Sequence, residues 1–222
     1  MLQDAVAAFG RSFSPAYRRV LIRSVLIALG LLAVLGIGAH WAMTYFVTLQ
    51  WGWAELTLDI LAAVGIFIGA IFLVPPVTSL VAGLFLDEVA ERVETEDFPA
   101  DPPGQALPFV RSLAMTLKFF GVMLVVNLIA LALLLVPGVN LVVFYIANGY
   151  LLGREYFQLA AMRFRGEEEA AELRRRYGIS IFLGGLVIAV MVSIPILNLA
   201  TPVFATIFMV RLHKRLTRRG TP

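Results

Sequence analysis

The sequence contains no cysteine, only two histidines and only two lysines. Without cysteine, the chain has no disulfides, no thiolate catalysis and no cysteine-ligated metal site. His40 and His213 are too far apart in the sequence for a zinc-protease motif, and neither Lys118 nor Lys214 belongs to a phosphate-binding Walker motif. These absences indicate a protein that is not an enzyme and that uses no cofactor or metal.

Charged residues are also scarce, at 15% of the chain, whereas the surface of a soluble domain needs about a quarter. Hydrophobic residues make up 60%, and the mean hydropathy is +0.87. A chain of this composition needs lipid as its solvent. At 222 residues it has room for one compact membrane domain.

Three long apolar stretches contain no positive charge. All 18 lysines and arginines fall in four patches, at residues 11–23, 92–118, 154–176 and 211–219. This is the positive-inside pattern of an integral membrane protein, and it places both termini and the loops at 87–111 and 154–177 in the cytoplasm. The net charge of +3 then reflects topology and attraction to anionic lipid rather than nucleic-acid binding.

The first two apolar stretches predict two long membrane helices. Val25 to Gln50 has 26 residues, which span about 39 Å and cross a hydrocarbon core of roughly 30 Å. We expect this helix to be retained, because the charged leader before it is too long for a cleaved signal peptide. The second stretch, Ile60 to Leu86, contains a GxxxG pair, Gly65 and Gly69, that predicts close helix packing. Its Pro75-Pro76 pair predicts a kink or a helix break.

Two polar segments follow the membrane helices on the basic side. Asp87 to Arg111 is acidic and rich in proline, and we interpret it as a solvated loop with one helical extension before Phe98. Its carboxylates are interpreted as a solvated face rather than a cation site. The stretch from Gly166 to Gly178 begins with acids and ends with bases, which predicts a solvated cytoplasmic helix.

The last two apolar blocks predict re-entrant hairpins. Each has a first arm of 16 to 18 residues and a second arm of only 12, Leu141 to Leu152 and Leu199 to Val210, which covers about 18 Å. Both tips share the pattern Pro-x-[Val/Leu]-Asn-Leu, 58 residues apart, which indicates an internal repeat. We expect Asn140 and Asn198 to cap the helices that start at Leu141 and Leu199.

The predicted fold class is therefore an all-α integral membrane protein with two long transmembrane helices and two partly penetrating hairpins tipped by proline and asparagine. It is one domain over residues 1–222, with these expected parts: a cytoplasmic N-terminal helix start at 1–24, the long helices at 25–86, the acidic loop at 87–111, the first hairpin at 112–162, a cytoplasmic helix at 163–178, the second hairpin at 179–212 and a basic tail at 213–222.

Six polar residues at membrane depth are candidates for a pore or for the hairpin tips. Such residues face protein or a water-filled path more often than lipid. The alternative for Asn140 and Asn198 is that their side chains only satisfy backbone N–H groups at the helix starts, because lipid offers these groups no other partner. The candidates are Asn127, Asn140, Tyr145, Asn148, Ser193 and Asn198.

The segment Ser14-Pro15-Ala16-Tyr17-Arg18-Arg19 is the strongest candidate for a binding site. Serine before proline predicts a helix start that leaves the N–H groups of Ala16 and Tyr17 free. These groups, the positive end of the helix dipole and the guanidinium groups of Arg18 and Arg19 together suit an oxyanion. The competing interpretation is that the two arginines bind lipid phosphate and fix the topology.

The run from Asn148 to Phe157, Asn-Gly-Tyr-Leu-Leu-Gly-Arg-Glu-Tyr-Phe, is preceded by Pro-Gly-Val-Asn at 137–140. It resembles the signature hairpin of the CysZ sulfate permeases and the related etoposide-induced membrane proteins, and the likeness extends from Phe9 to Leu216. The resemblance implies two long helices and two partly penetrating hairpins, assembled as homo-oligomers in the bacterial inner membrane.

The resemblance also implies a sulfate site near the start of the first membrane helix, at a Gly-Leu-Arg-Arg type segment. The matching segment here is Ala16-Tyr17-Arg18-Arg19, where alanine replaces glycine and tyrosine replaces leucine. The preferred function is an inner-membrane permease for sulfate or a related oxyanion that supplies sulfur assimilation and cysteine biosynthesis. The alternative is a non-transporting membrane assembly or lipid-organising protein.

Overall fold

The computed structural model describes residues 1–46, 52–108, 110, 113–115, 117–118, 121–122, 124–125, 128 and 139–219, and every regular element among them is an α-helix. The described residues between 110 and 128 are helical. The other helices are α1 (Leu2–Ser12), α2 (Pro15–Phe46), α3 (Gly52–Gly83), α4 (Leu86–Asp97), α5 (Val139–Met162), α6 (Glu167–Arg176), α7 (Gly178–Val192), α8 (Pro195–Asn198) and α9 (Thr201–Arg219).

The two long helices, α2 and α3, have 32 residues each and pack against one another. Within the described part of the chain, the stretch Pro15–Met43 of α2 is long and apolar enough to cross a membrane, and the bent pair α6 and α7 counts as a second span if it crosses as one unit. Large apolar side chains are exposed along α2, including Val34 and Ile37, each 70% exposed. A helix with many exposed apolar side chains is suited to face lipid.

Two predictions about α3 can be compared with the described residues. The helix continues through Pro75 and Pro76, so of the predicted kink or break the break does not occur. A Cβ atom added to Gly65 or Gly69 would meet no described atom within 4 Å, so this GxxxG pair does not mark a close helix contact within the chain. The close contact between α2 and α3 lies at Gly36 instead, where an added Cβ would be 3.1 Å from Ile66 Cγ2.

The second hairpin breaks where the prolines predict. Helix α7 ends at Val192, the short helix α8 begins with Pro195, and α9 follows. Because α9 begins at Thr201, the prediction that Asn198 caps a helix starting at Leu199 is wrong. The residues from Pro195 to Asn198 form a helical turn of their own, which the Asn198 N–H closes by donating to the Ile194 carbonyl at 2.8 Å.

The tip of the first hairpin, including Pro137 and Gly138, lies outside the described residues. The described part of α5 begins at Val139, directly after residues that are not described, and the side chain of Asn140 is not described either, so the capping prediction for Asn140 lies outside the described residues. Helices α5 and α9 have 24 and 19 residues, more than the twelve of the apolar arms, because both continue into the polar residues of the basic side.

Helix α9 is the centre of the packed core. Residues 201–210 are all buried, and α1, α4, α5 and α7 pack around this helix. Beside it, α5 crosses α7 at unusually close range. A Cβ on Gly185 would clash with the Gly149 carbonyl, and a Cβ on Gly153 would lie 2.5 Å from the Ile181 oxygen. Only glycine fits at this crossing, so Gly149 and Gly153 form the GxxxG contact that the sequence analysis assigned to α3.

Candidate functional site

The start of α2 forms as its sequence predicts. Pro15 is the first helical residue, and Arg18 N–H donates to the Ser14 carbonyl at 2.9 Å, which closes the first turn. Proline suits this position because its missing N–H would have no partner there. Ala16 and Tyr17 follow in the same turn, where backbone N–H groups have no acceptor within the helix. The helix therefore presents its positive end beside Arg18 and Arg19.

Arg18 and Arg19 are exposed, whereas the ring of Tyr17 is buried and only 1% exposed. Among the described residues, no carboxylate oxygen lies within 4 Å of a nitrogen of either guanidinium group. Two uncompensated cations next to free N–H groups have the chemistry that a tetrahedral oxyanion needs.

Arg92 of α4 also reaches this helix start. Its Nη1 donates to the Ala16 carbonyl at 2.8 Å, and its guanidinium lies 5.8 Å from the centre of the Tyr17 ring. Arg92 was not among the predicted site residues, because no local sequence pattern indicates a contact between residues 76 positions apart. The one available signal was a single arginine within a helix that otherwise carries acidic charge.

Several other cations of this side contact carboxylates, in contrast to Arg18 and Arg19. Four acids of 87–101 contact basic residues from three other segments, so the interpretation of the acids as a solvated face is wrong for these four, although Glu91 is exposed. The ion pairs are Asp87 and Glu94 with Arg163, Asp97 with Arg11 and Arg211, and Asp101 with Lys214 and Arg218; Asp4 of α1 adds contacts to Arg211 and Arg215.

Arg163 and Glu94 form the buried centre of this network, and each is 4% exposed. Arg163 Nε donates to Glu94 Oε1 at 2.7 Å and its Nη1 donates to Asp87 at 2.6 Å. Burial lowers the pKa of Arg163, but the hydrogen bonds and charges of Glu94 and Asp87 outweigh burial, and the net shift raises that pKa. The Gly104 N–H donates to Glu94 and the Gln105 N–H to the Arg163 carbonyl, so the pair also fixes the proline-rich loop.

The structure does not bring the six hairpin candidates to one described site. Asn127 lies outside the described residues, as does the side chain of Asn140. Tyr145 is half-buried, with its ring against Phe144 at 5.4 Å. Ser193 is exposed and donates to the Ala189 carbonyl at 2.8 Å, and Asn198 is half-buried at the end of α8.

Asn148 is the hairpin candidate that the structure buries completely. Its Nδ2 donates to the Phe144 carbonyl at 2.9 Å, while its Oδ1 accepts no hydrogen bond within the described part of the chain. In this same part of the chain, no group of three or more histidine, aspartate or glutamate side chains is arranged to hold a metal ion.

A family model described as "Sulfate transporter CysZ/Etoposide-induced protein 2.4" matches residues 5–202. A search of curated proteins found no match to the chain. The family match covers most of the chain, including the start of α2, the paired acids of α4 and the α5–α7 crossing. It confirms the resemblance seen in the sequence, and the chain belongs to the CysZ and etoposide-induced protein 2.4 family of sulfate-transporter-like membrane proteins.

Proposed function

We propose that the protein is a permease for sulfate or a related oxyanion in the bacterial inner membrane, with both termini in the cytoplasm. It would supply sulfur assimilation and cysteine biosynthesis. Membership of a sulfate-transporter family supports this function, and so does the long apolar stretch Pro15–Met43. The anion would bind at the cytoplasmic end of α2, held by Arg18, Arg19 and the N–H groups of Ala16 and Tyr17.

The observation that carries this proposal is that two exposed cations, for which the described part of the chain offers no carboxylate partner, lie in the first turn of α2. Arg11, Arg163 and Arg211 each have a carboxylate partner, whereas Arg18 and Arg19 have none among the described residues. A cation that already holds a carboxylate must lose that partner before it binds an anion. Arg18 and Arg19 bind without that cost.

Tyr17 and Arg92 hold the first turn in place for the anion. The buried Tyr17 ring fixes the rotation of α2, so the next two side chains are directed away from the core. Arg92 Nη1 donates to the Ala16 carbonyl, and its Nη2 lies 3.8 Å from Glu88 Oε1, which balances part of its charge. We assign Arg92 a positioning role, because its guanidinium contacts the helix backbone and the Tyr17 ring.

The affinity of the purified protein for sulfate at fixed ionic strength tests the site. Each charge-assisted hydrogen bond contributes about 1.5 to 3 kcal/mol, so Arg18→Gln with Arg19→Gln should weaken binding at least tenfold. The matched control is Arg165→Gln with Arg175→Gln, which removes two exposed arginines from other parts of the basic side. Its affinity should equal that of the parent.

Equal affinity for the Arg18 and Arg19 variant and the parent would contradict the site. The two arginines would then orient the protein by binding lipid phosphate, as the competing interpretation holds. A tenfold loss in both double variants would show that general positive charge attracts the anion, and it would also contradict the site.

A further inference from the structure

A cavity of about 310 Å³ lies between α5, α6 and the helical residues near position 118. Three cations line it, namely Lys118, Arg154 and Arg174, and each comes from a different segment. Glu155 and Glu167 also line the cavity, which leaves an excess of one positive charge. None of these residues belongs to the α2 site or to the ion-pair network around Arg163.

The three cations lack the carboxylate partners found elsewhere on the basic side. No carboxylate oxygen of the described residues lies within 4 Å of their charged nitrogens. Burial, and then repulsion by Arg154, lower the pKa of Arg174, and they outweigh the opposing charge of Glu155, so the positive charge of this cavity is not fully balanced. An anion between Arg154 and Arg174 would remove this repulsion.

A buried amide in the same cavity points to a ligand independently of the charges. Gln158 lines the cavity and is only 7% exposed, and its Oε1 has no hydrogen-bond partner among the described residues. Its Nε2 lies 3.4 Å from the Glu167 carbonyl, at the long limit for a hydrogen bond. A buried acceptor without a partner is costly, so a ligand with an O–H donor would be favoured here.

The chemistry of the donor distinguishes two classes of anion. Sulfate carries no proton near neutral pH, so it has nothing to donate to Gln158 Oε1. A phosphate monoester, whose second pKa is about 6, keeps its proton in part, and the glycerol headgroup of an anionic phospholipid carries hydroxyl groups next to its phosphate. The combination of cations and a free acceptor therefore selects phosphate with a hydroxyl.

The other wall of the cavity is apolar and is lined by Met115, Val122 and Leu151. Basic pockets between membrane helices on the cytoplasmic side suit anionic lipid headgroups, because the acyl chains can leave along an apolar wall. We propose that the cavity between Lys118, Arg154, Arg174 and Gln158 binds a phosphate group that carries a hydroxyl donor, presented by an anionic phospholipid or as free hydrogen phosphate. Phosphate binding in this cavity would be independent of the proposed permease function.

Native mass spectrometry of the full-length protein in detergent tests the lipid source. The protein is titrated with phosphatidylglycerol and, separately, with phosphatidylmethanol, which has the same charge but no headgroup hydroxyl. We expect tighter binding of phosphatidylglycerol, and at least tenfold weaker binding of both lipids to Arg154→Gln with Arg174→Gln. Arg175→Gln with Arg176→Gln removes two exposed neighbours on α6 and should leave binding unchanged.

Gln158→Leu is a second variant that removes no charge. It should abolish the preference for phosphatidylglycerol over phosphatidylmethanol while leaving phosphatidylmethanol binding intact. Because Gln158→Leu keeps all charges, it gives a separate result if Arg154→Gln with Arg174→Gln fails to fold.

A parallel titration with inorganic phosphate and with sulfate, in lipid-free protein, tests the free anion. Phosphate binding that is lost in the Arg154 and Arg174 variant, without a matching loss for lipid, would identify the free anion as the source. Unchanged affinity for both phosphatidylglycerol and inorganic phosphate in the folded variant would overturn the inference. Sulfate binding at Arg18 and Arg19 should survive in this variant, so failure of one site is distinguishable from failure of the other.

Discussion

Arg163 is buried between two carboxylates, and its environment is the opposite of that around Arg18 and Arg19. Its three side-chain hydrogen bonds tie the end of α5 to α4, and its carbonyl accepts a hydrogen bond from the Gln105 N–H of the proline-rich loop. Removing one partner of a buried ion pair leaves an uncompensated charge, which costs about 3 to 5 kcal/mol. This cost makes Arg163 structural and excludes it from exchanging its carboxylates for a transported anion.

We therefore predict that Arg163→Gln lowers the free energy of unfolding in detergent by about 3 to 5 kcal/mol. The matched control is Arg218→Gln, because the Arg218 side chain is 58% exposed although it also contacts a carboxylate. Exposed pairs contribute little, so this control should change stability by less than about 1 kcal/mol. Equal losses in the two variants would contradict the buried role of Arg163.

His213 is a second buried titratable residue of α9, only 2% exposed. Its ring lies between Phe157 and Phe164, and neither ring nitrogen has a hydrogen-bond partner among the described residues. Burial, and then the charges of Arg165 and Lys214, lower the pKa of His213 to about 4. The imidazole is therefore neutral at pH 7.

This pKa predicts a loss of stability in acid. Between pH 6.5 and pH 4 the unfolded state binds more protons than the folded state, so the free energy of unfolding falls as pH decreases through that window. The His213 contribution to this loss is about 3 kcal/mol at pH 4. His213→Phe should remove that part of the pH dependence of thermal unfolding, whereas His40→Phe, at an exposed position of α2, should not. An unchanged pH dependence in His213→Phe would contradict a neutral buried imidazole.

At the scale of helices, the crossing of α5 and α7 depends on glycine. The backbones approach so closely at Gly149, Gly153 and Gly185 that no side chain fits between them. Such close approach allows dispersion contacts that replace the hydrophobic effect, which does not operate between helices in lipid.

We predict that Gly185→Ala separates the two helices and lowers the thermal stability of the detergent-solubilised protein, at a cost of about 1 to 3 kcal/mol or more. Gly65→Ala is the matched control, because no described atom lies within 4 Å of an added Cβ at that position. It should leave stability unchanged or raise it slightly, since alanine is the better helix former. A larger loss for Gly65→Ala than for Gly185→Ala would show that the packing assignment is reversed.

The sequence predicted the helices better than their contacts. Proline marked the break between α7 and α8 because it cannot continue a hydrogen-bonded turn, and Ser14-Pro15 marked the start of α2 for the same reason. The capping role of Asn198 was wrong because Pro195 starts a separate helical turn, which leaves Asn198 at the end of α8 and places the next helix start at Thr201. The pairing of Glu94 with Arg163 and of Asp97 with Arg211 spans 69 and 114 residues, and no local pattern indicates such pairs.

For the whole molecule, the segregation of positive charge predicts a single orientation. A cysteine introduced at Glu168, an exposed position of α6, should react with an impermeant thiol reagent only from the cytoplasmic side. A cysteine at His40, near the other end of α2, should react only from the periplasm. The chain has no native cysteine, so each variant carries one reactive thiol. Reaction of the cysteine at position 168 from the periplasm would contradict the orientation and the cytoplasmic location of the α2 site.

If this chain alone moves an oxyanion, labelled sulfate should enter proteoliposomes that contain only this protein. We predict uptake above that of protein-free liposomes, at least a tenfold reduction in Arg18→Gln with Arg19→Gln, and unchanged uptake in Arg165→Gln with Arg175→Gln. Uptake no greater than in protein-free liposomes would contradict the account and favour the non-transporting alternative.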